Sequence, residues 1–147
     1  MAEYPTGVVI IAAEFHGGPV GMACNSFTSV SLQPRLVSFC VAHTSTTWPL
    51  IRDRGNFCVN IMSNAHAELA RTFSRRNVDR FGLGTWTARA AGPGLGDAMA
   101  WLDCQIWAEH EAGDHTIVIG EVMSMAAHPD AGAPLVFWRG GYGTTHT

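Results

Sequence analysis

The chain has 147 residues, of which 47% are apolar and only 14% charged, and its formal net charge is −3. This length suits one hydrophobic core, so we predict a single domain over residues 1–147. The charge balance gives no basic field for nucleic acid, and we predict no nucleic-acid partner. The scarcity of charge favours an oligomer, because monomers rarely expose large apolar patches.

The four cysteines indicate buried free thiols rather than a metal or redox site. They contain no CxxC pair, and each lies in an apolar run. No stretch reaches the roughly 18 apolar residues of a membrane span, and no basic region precedes an apolar stretch at the N-terminus. We therefore expect no membrane span, no signal peptide and a cytoplasmic location.

The first third of the chain predicts strands. Thr6–Phe15 is short and rich in β-branched residues, which is typical of one strand. His16–Pro19 has turn chemistry, and Val20–Cys24 continues as the returning strand of a hairpin. Leu36–Ala42 is almost continuously apolar, which predicts a strand buried on both faces.

The middle of the chain predicts two short helices around one strand. The segment from Trp48 has a proline in its first turn and Gly55 just past its end, which is the usual asymmetry of a helix. Asn56–Met62 alternates like a half-buried strand. Ser63 can N-cap a helix that runs to about Arg75.

The last part of the chain again predicts strands. Asn77–Gly96 is irregular and rich in glycine, so we predict a long loop there. Trp101–Glu111 and His115–Ala126 predict a long hairpin, and Leu135–Arg139 predicts a last strand. Many strands with few short helices predict an α+β domain that is mainly β and resembles a barrel.

Three familiar motifs fail on their spacing. Gly92–Gly96 lacks the third glycine of a dinucleotide-binding fingerprint, because position 97 is an aspartate. The seven histidines never lie four residues apart, so we predict no metal site. The chain contains no GxSxG nucleophile elbow, which argues against an esterase-type nucleophile.

Two polar clusters remain, and they flank one apolar strand. Asn25–Ser31 is dense in hydroxyl and amide side chains, and Thr44–Thr47 follows Leu36–Ala42. The first cluster suits a polar ring edge, with an ordinary polar turn before Pro34 as the alternative. The second precedes a helix N-terminus, which favours a phosphate, with a plain Ser/Thr N-cap as the alternative.

Basic and aromatic side chains follow the second predicted helix. Arg75, Arg76 and Arg80 can neutralise a phosphate, and Phe81 can stack on a ring. The alternative is a solvated helix end whose cations complement the helix dipole. His115 follows a hairpin tip, from which it can reach a neighbouring cleft.

Taken in order, seven motifs resemble the flavin reductase-like family, which has the FMN-binding split barrel. The resemblance covers about Thr6 to Tyr142 and rests on TGV, GMACNSFTSVSLQPRLVSFCV, HTSTTWPLI, FCVNIMS, LARTFSRRNVDRF, AWLDCQIWAEHEAGDHTIVIGEV and PLVFWRGGY. It is strongest to the short flavin reductase component of two-component monooxygenases. It implies a split β-barrel with short flanking helices.

The resemblance also implies the residues of a flavin site. The isoalloxazine and ribityl part would be lined by Asn25, Ser26, Phe27 and Thr28, and the phosphate held by Thr44, Ser45, Thr46 and Thr47. The phosphate or adenine side would be closed by Arg76, Arg80 and Phe81. The nicotinamide donor would face His115 and the end of the chain from Arg139 to Tyr142. His115 would be the catalytic residue, which orients the nicotinamide or moves a proton.

Two features depart from the family pattern. Only five residues precede Thr6, where members usually carry a leading helix. Many members have a cation in the phosphate loop, where this chain has Thr46, which leaves the charge to Arg76 or Arg80.

The activity implied is that of an NAD(P)H:flavin oxidoreductase. It passes hydride from NADH or NADPH to FMN or FAD and supplies the reduced flavin to a monooxygenase. The resemblance also implies a homodimer. The alternative is a flavin-binding oxidase or electron carrier on the same barrel without NAD(P)H activity.

Overall fold

The structure is a computed structural model that describes residues 1–146. Most elements are strands, which are β1 (Thr6–Gly7), β2 (Val9–Phe15), β3 (Gly18–Cys24), β4 (Thr28–Leu32), β5 (Arg35–Ala42), β6 (Asn56–Ile61), β7 (Trp86–Ala88), β8 (Pro93–Leu95), β9 (Ala100–Ala112), β10 (His115–Ala127), β11 (Val136–Trp138) and β12 (Gly141–Gly143). The helices are α1 (Trp48–Arg54) and α2 (Ala67–Phe73), with a 3-10 turn at Asn64–His66. In residues 1–146 no helix is long and apolar enough to cross a membrane.

The main sheet has seven antiparallel strands in the order β3-β2-β6-β9-β10-β5-β4. It curls around the core but is not closed, because β3 and β4 are its two edges. Two small sheets flank it, one of β1, β11 and β12 and the other of β7 and β8. This architecture confirms the predicted split barrel with short flanking helices.

Two hydrophobic clusters share strand β2. Its residues Val9, Ile11 and Ala13 pack into the first cluster, while Ile10 and Ala12 pack into the second. Side chains on a strand alternate between its faces, so a strand that is apolar at every position serves two cores. The first cluster fills the barrel, and the second joins the barrel to α2 and the small sheets.

Helix α1, which the sequence predicted as a short helix, plugs one end of the barrel with Trp48 and Ile51. Trp48 is buried and meets the rings of Phe39 and Phe57 edge to face, at centroid distances of 5.5 and 6.3 Å. The indole Nε1 donates to Glu109 at 3.1 Å. Gly55 ends the helix with a φ of 80°, which is a conformation that glycine adopts without strain.

Three predictions about the strands were wrong, because strand pairing is decided by residues that are distant in the sequence. Thr6–Phe15 is not one strand, since β1 pairs with β11 and β2 pairs with β3 and β6. The predicted loop Asn77–Gly96 contains the hairpin of β7 and β8. This hairpin is held by the buried Asn60, whose side-chain oxygen accepts from Leu95 N at 2.8 Å. After β11 the chain turns back as the unpredicted strand β12.

Burial on two strands also differed from the prediction. Strand β5 is buried on one face only, at Val37, Phe39 and Val41, while its other side chains are partly exposed. Strand β6 is the opposite case, because Phe57–Asn60 are buried in succession between β2 and β9. The sequence pattern of each strand was real, but its place in the sheet decides which faces are covered.

The remaining elements agree closely with the sequence. Ser63 begins the second helical segment and accepts from Ala65 N at 3.3 Å, although α2 ends at Phe73 rather than near Arg75. The long hairpin of β9 and β10 is confirmed, and its turn falls at Gly113 and Asp114.

The aromatic cluster at the plugged end predicts a strong core substitution. Phe57 is fully buried, so Phe57→Ala should lower the free energy of unfolding by about 3–5 kcal/mol. Urea denaturation measures this loss. The partly exposed Phe15 provides the matched control, and Phe15→Ala should lose clearly less. Equal losses from both variants would show that this cluster is not the stabilising core.

Candidate functional site

The open seam of the barrel is closed by side chains rather than by strand pairing. Strand β4 pairs with β5 only as far as Thr28, which lies opposite Ser38. Beyond that point the Ser26 hydroxyl accepts from Cys40 N at 2.8 Å and lies 3.1 Å from Cys24 Sγ. The Ser26 side chain thus joins β3 to β5, and the loop Asn25–Thr28 crosses the seam.

A cavity of about 840 Å³ opens on this loop. One side of it is the loop Asn25–Thr28, and the other sides are residues 1, 2 and 4–7 and the turn that follows β11. Aromatic side chains supply much of the lining, namely Tyr4, Phe27, Phe137 and Trp138. A largely apolar cavity with a polar loop at one edge suits an aromatic ligand with polar substituents.

The second polar cluster lies between β5 and α1. The Ser45 hydroxyl accepts from Trp48 N at 3.1 Å, so this side chain does cap the first turn of α1. Thr47 makes no such cap and instead accepts from Arg80 at 3.1 Å. Thr44 and Thr46 are exposed. The plain N-cap therefore accounts for one of the four hydroxyls only.

Arg80 is the cation of this region. Its Nη1 donates to Gly21 O at 2.7 Å and to Thr47 Oγ1 at 3.1 Å, while Nε and Nη2 donate to Arg75 O. No carboxylate lies within ion-pair distance of it in the described part of the chain. Burial, and then the charge of Arg76, lower the pKa of Arg80. The site thus holds a partly buried cation that an anion would stabilise.

Phe81 contributes mainly through packing. Its ring lies 5.0 Å from Phe73 and 4.8 Å from Trp86, in edge-to-face contacts within the second hydrophobic cluster. It also passes close to Gly21, where a Cβ would lie 3.0 Å from the ring. This packing fixes the backbone that carries Arg80, whereas Arg76 is exposed.

Tyr142 and Asn25 line a smaller cavity of about 170 Å³ beside the seam. The tyrosine ring lies 5.4 Å from Phe137, and the guanidinium of Arg71 lies 5.3 Å from its centroid. The structure therefore brings Tyr142 to the same end of the seam as the loop Asn25–Thr28.

His115 lies at the tip of the β9–β10 hairpin, outside both cavities. Its Nδ1 is 2.7 Å from Asp114 Oδ1, and this hydrogen bond, together with the histidine charge, lowers the pKa of Asp114. Asp114 O accepts from His43 N at 2.9 Å, which ties the tip to the loop containing Thr44. His115 thus neighbours the second polar cluster rather than the first.

The two polar clusters lie near different parts of β3, and we call the surface along this strand between them the groove. Arg80 contacts Gly21 in this strand, and Asn25 follows its end, so about 13 Å of strand separates them. The groove has a polar loop and an aromatic cavity at one end and an unpaired cation with hydroxyls at the other. This arrangement suits an elongated ligand with a ring at one end and an anion at the other.

Residues 1, 2, 4 and 5, together with Trp138, line the large cavity, and no role was predicted for them from the sequence. They show no periodicity that could have revealed this role. The one available signal was the pair Arg139-Gly140, because two-residue hairpin turns prefer Asn or Asp before the glycine.

Other chemistries find little support at this site. Residues 1–146 contain no group of three or more His, Cys, Asp or Glu that could hold a metal. Burial raises the pKa of Cys58 and that of Cys104 to about 12, so neither thiol is a ready nucleophile.

The fold is a split barrel, and comparison with known proteins gives its family. The model of the flavin reductase like domain matches residues 1–146. A flavin reductase of Pseudomonas putida is 41% identical over 145 residues, which cover 97% of this chain and 85% of the relative. The chain belongs to the flavin reductase-like domain family.

Two further similarities agree with this assignment. The reductase subunit HsaB of a flavin-dependent monooxygenase from Rhodococcus jostii is 38% identical over 143 residues, covering 97% of this chain and 73% of HsaB. The solved NADH:FAD oxidoreductase SgcE6 of Streptomyces globisporus, in complex with NAD and FAD fragments, superposes with a TM-score of 0.92. It is 32% identical and covers 99% of this chain and 88% of that chain.

The reactivity of the four thiols tests how deeply each cysteine is buried. At pH 8 a thiol with a pKa of about 12 is roughly one part in 10⁴ thiolate, so Cys58 and Cys104 should resist iodoacetamide. Cys24 is buried as well, whereas Cys40 is partly exposed at the seam. In protein diluted until it is monomeric, we expect Cys40 to be alkylated first, as measured by peptide mass spectrometry. Labelling of Cys58 at the same rate would contradict the buried packing of β6.

Proposed function

We propose that this protein is an NAD(P)H:flavin oxidoreductase that reduces FMN or FAD and supplies the reduced flavin to a monooxygenase. The observation that carries the proposal is Arg80, a partly buried cation without a carboxylate partner in residues 1–146. It lies in one groove with the polar loop Asn25–Thr28. The names of the relatives, a flavin reductase and a monooxygenase reductase subunit, support the same activity.

The groove fits a flavin in one orientation. The phosphate would lie against Arg80 and the hydroxyl loop Thr44–Thr47, and the exposed side chain of Arg76 would lie nearby. The ring would lie at Asn25–Thr28. The Ser26 hydroxyl is already hydrogen-bonded to Cys40 N, so Ser26 would offer its backbone groups to the ring instead. Gly21 lets Phe81 pack closely under Arg80, because a Cβ there would meet Ile11 O and Phe81 at 3.0 Å.

The reaction needs the two rings to be held in contact. A flavin in this groove supplies the hydride acceptor, and the nicotinamide of the donor supplies the hydride. The 840 Å³ cavity opens on the same loop and can take the donor ring. The chain then contributes orientation and exclusion of water, and orientation of two reactants is worth up to about 7–11 kcal/mol. Tyr142 is proposed to contact the flavin ring. His115 lies beside the loop that contains Thr44, so it is proposed to contact the donor away from its nicotinamide ring.

We further propose a homodimer whose second copy covers the outer face of β5 and β10. Phe39, Val41 and Val118 point into the barrel, but Cys40 and Ile117, which are paired across the two strands, point outward and are only partly exposed. Ile119 lies on the same outer face. Sheets that are apolar on both faces are usually covered on both, and one protomer covers only one.

Two broader proposals follow from the same features. The 147 residues form one domain, since β2 belongs to both hydrophobic clusters. The four cysteines are all free, which suits the reducing conditions of the cytoplasm.

The activity is tested directly by mixing the protein with NADH and following absorbance of the nicotinamide, with and without FMN or FAD. Oxidation that depends on added flavin is the expected result, and repeating it with NADPH identifies the donor. Bound flavin that neither donor reduces would overturn the proposal and favour an electron carrier or an oxidase. Oxidation that ignores the flavin concentration would contradict a diffusible reduced product.

Arg80→Gln tests the orientation of the flavin. Losing a charge-assisted hydrogen bond should raise the Kd for FMN about tenfold or more, as measured by quenching of flavin fluorescence. Riboflavin, which lacks the phosphate, should bind the variant as it binds the wild type. Arg54→Gln, at the exposed end of α1, is the matched control. Equal weakening of FMN and riboflavin would place the phosphate elsewhere.

Ile119→Arg tests the dimer face. A charge on this outer face should separate the two copies, which sedimentation velocity would detect as a shift from dimer to monomer. Ala90→Arg, in the exposed loop between β7 and β8, should leave the assembly unchanged. A variant that remains a dimer would show that the second copy binds another surface.

A further inference from the structure

The N-terminal segment, residues 1–5, forms one wall of the 840 Å³ cavity opposite the loop Asn25–Thr28, and all of its residues except Glu3 line that wall. All five residues are exposed, so no buried side chain holds the segment in place. Its position depends instead on polar contacts with the turn after β11.

These contacts form a clamp of three side chains. Arg139 Nη2 donates to Glu3 Oε2 at 2.7 Å, and Arg139 Nε lies 3.1 Å from both carboxylate oxygens. Trp138 Nε1 donates to Glu3 O at 3.0 Å, and Arg139 N donates to Ala2 O at 3.1 Å. The Arg139 guanidinium also covers the Trp138 ring at 4.3 Å. The same short segment is thus held through its backbone and through its one carboxylate.

The backbone at Arg139 is a second, independent observation. Arg139 and Gly140 have φ angles of 49° and 76°, and together they form the two-residue turn between β11 and β12. Such turns favour Asn or Asp before the glycine, because other side chains are strained in the left-handed region. An arginine at this position is unfavourable for the turn itself, which points to a role for its side chain.

We propose that Glu3, Trp138 and Arg139 are positioning residues for the hydride donor. They hold residues 1–5 as the wall against which the nicotinamide half of the donor packs. This inference rests on the proposed reductase function. It concerns the donor rather than the flavin, because the clamp makes no contact with Arg80, Thr47 or Gly21 at the anion end of the groove.

Arg139→Asn separates this role from folding. Asparagine suits the left-handed turn, so the variant should unfold at the same temperature as the wild type or higher. It nevertheless loses the ion pair of the clamp, and Glu3→Gln removes the charge from the same contact while it keeps Arg139 in place. Each variant should raise the KM for NADH about threefold to tenfold, with kcat and the Kd for FMN unchanged.

A binding measurement provides a readout that needs no turnover. The Kd of NAD⁺ for the flavin-loaded protein, measured by calorimetry, should rise by the same factor as KM in both variants. Because the clamp is exposed, salt at about 1 M should weaken donor binding in the wild type more than in the variants. Glu14→Gln, an exposed carboxylate on β2, is the matched control and should change neither value.

Each other outcome is decisive. Unchanged donor affinity in both variants would overturn the proposal that residues 1–5 form a wall for the donor. An effect of Arg139→Asn alone means that Arg139 touches the donor itself, which also overturns it, as does an equal loss of FMN affinity. Wild-type protein that binds NAD⁺ without oxidising NADH overturns the proposed function only. The NAD⁺ affinities of the wild type and the variants then decide whether residues 1–5 position the donor. Wild-type protein that does neither overturns both.

Discussion

Strand β2 is the constraint on which the rest of the structure depends, because both of its faces are buried. Its alternate side chains belong to different hydrophobic clusters, so neither cluster can shift without the other. Neighbouring backbones approach it closely. A Cβ at Gly92 would lie 2.4 Å from Ala12 O, and one at Gly21 would lie 3.0 Å from Ile11 O. Glycine at these two positions lets β3, which carries part of the site, and the β7–β8 hairpin reach the strand.

The candidate site is assembled where the two hydrophobic clusters meet. The second cluster fixes Phe81 and thereby the backbone of Arg80. The first cluster fixes Trp48 and thereby Thr47 at the start of α1. The hydrogen bond from Arg80 to Thr47 joins the two, and the bond to Gly21 O anchors it to β3. A groove built in this way has its length and its charge set by packing that lies outside it.

The sequence predicted the elements whose signals are local. Gly55 ends α1 in the left-handed conformation, and the long hairpin turns at Gly113, as the turn chemistry indicated. It did not predict which sheet each strand joins, because the break after Gly7 and the β7–β8 hairpin depend on partners such as Asn60, far along the chain. For the site, both polar clusters were visible as composition. The roles of individual hydroxyls were not, since Ser26 and Ser45 bond to the backbone and Thr47 to a guanidinium.

The uncompensated charge at Arg80 also couples the stability of the chain to what occupies the groove. A ligand that binds only the folded state stabilises it by about 2.7 kcal/mol at a concentration 100 times its Kd. Here the anion would neutralise a cation that bridges the two clusters, so the gain belongs to the contact that holds them together. Turnover of the protein in a cell would then follow the supply of this ligand, with empty molecules unfolding, and being degraded, before loaded ones.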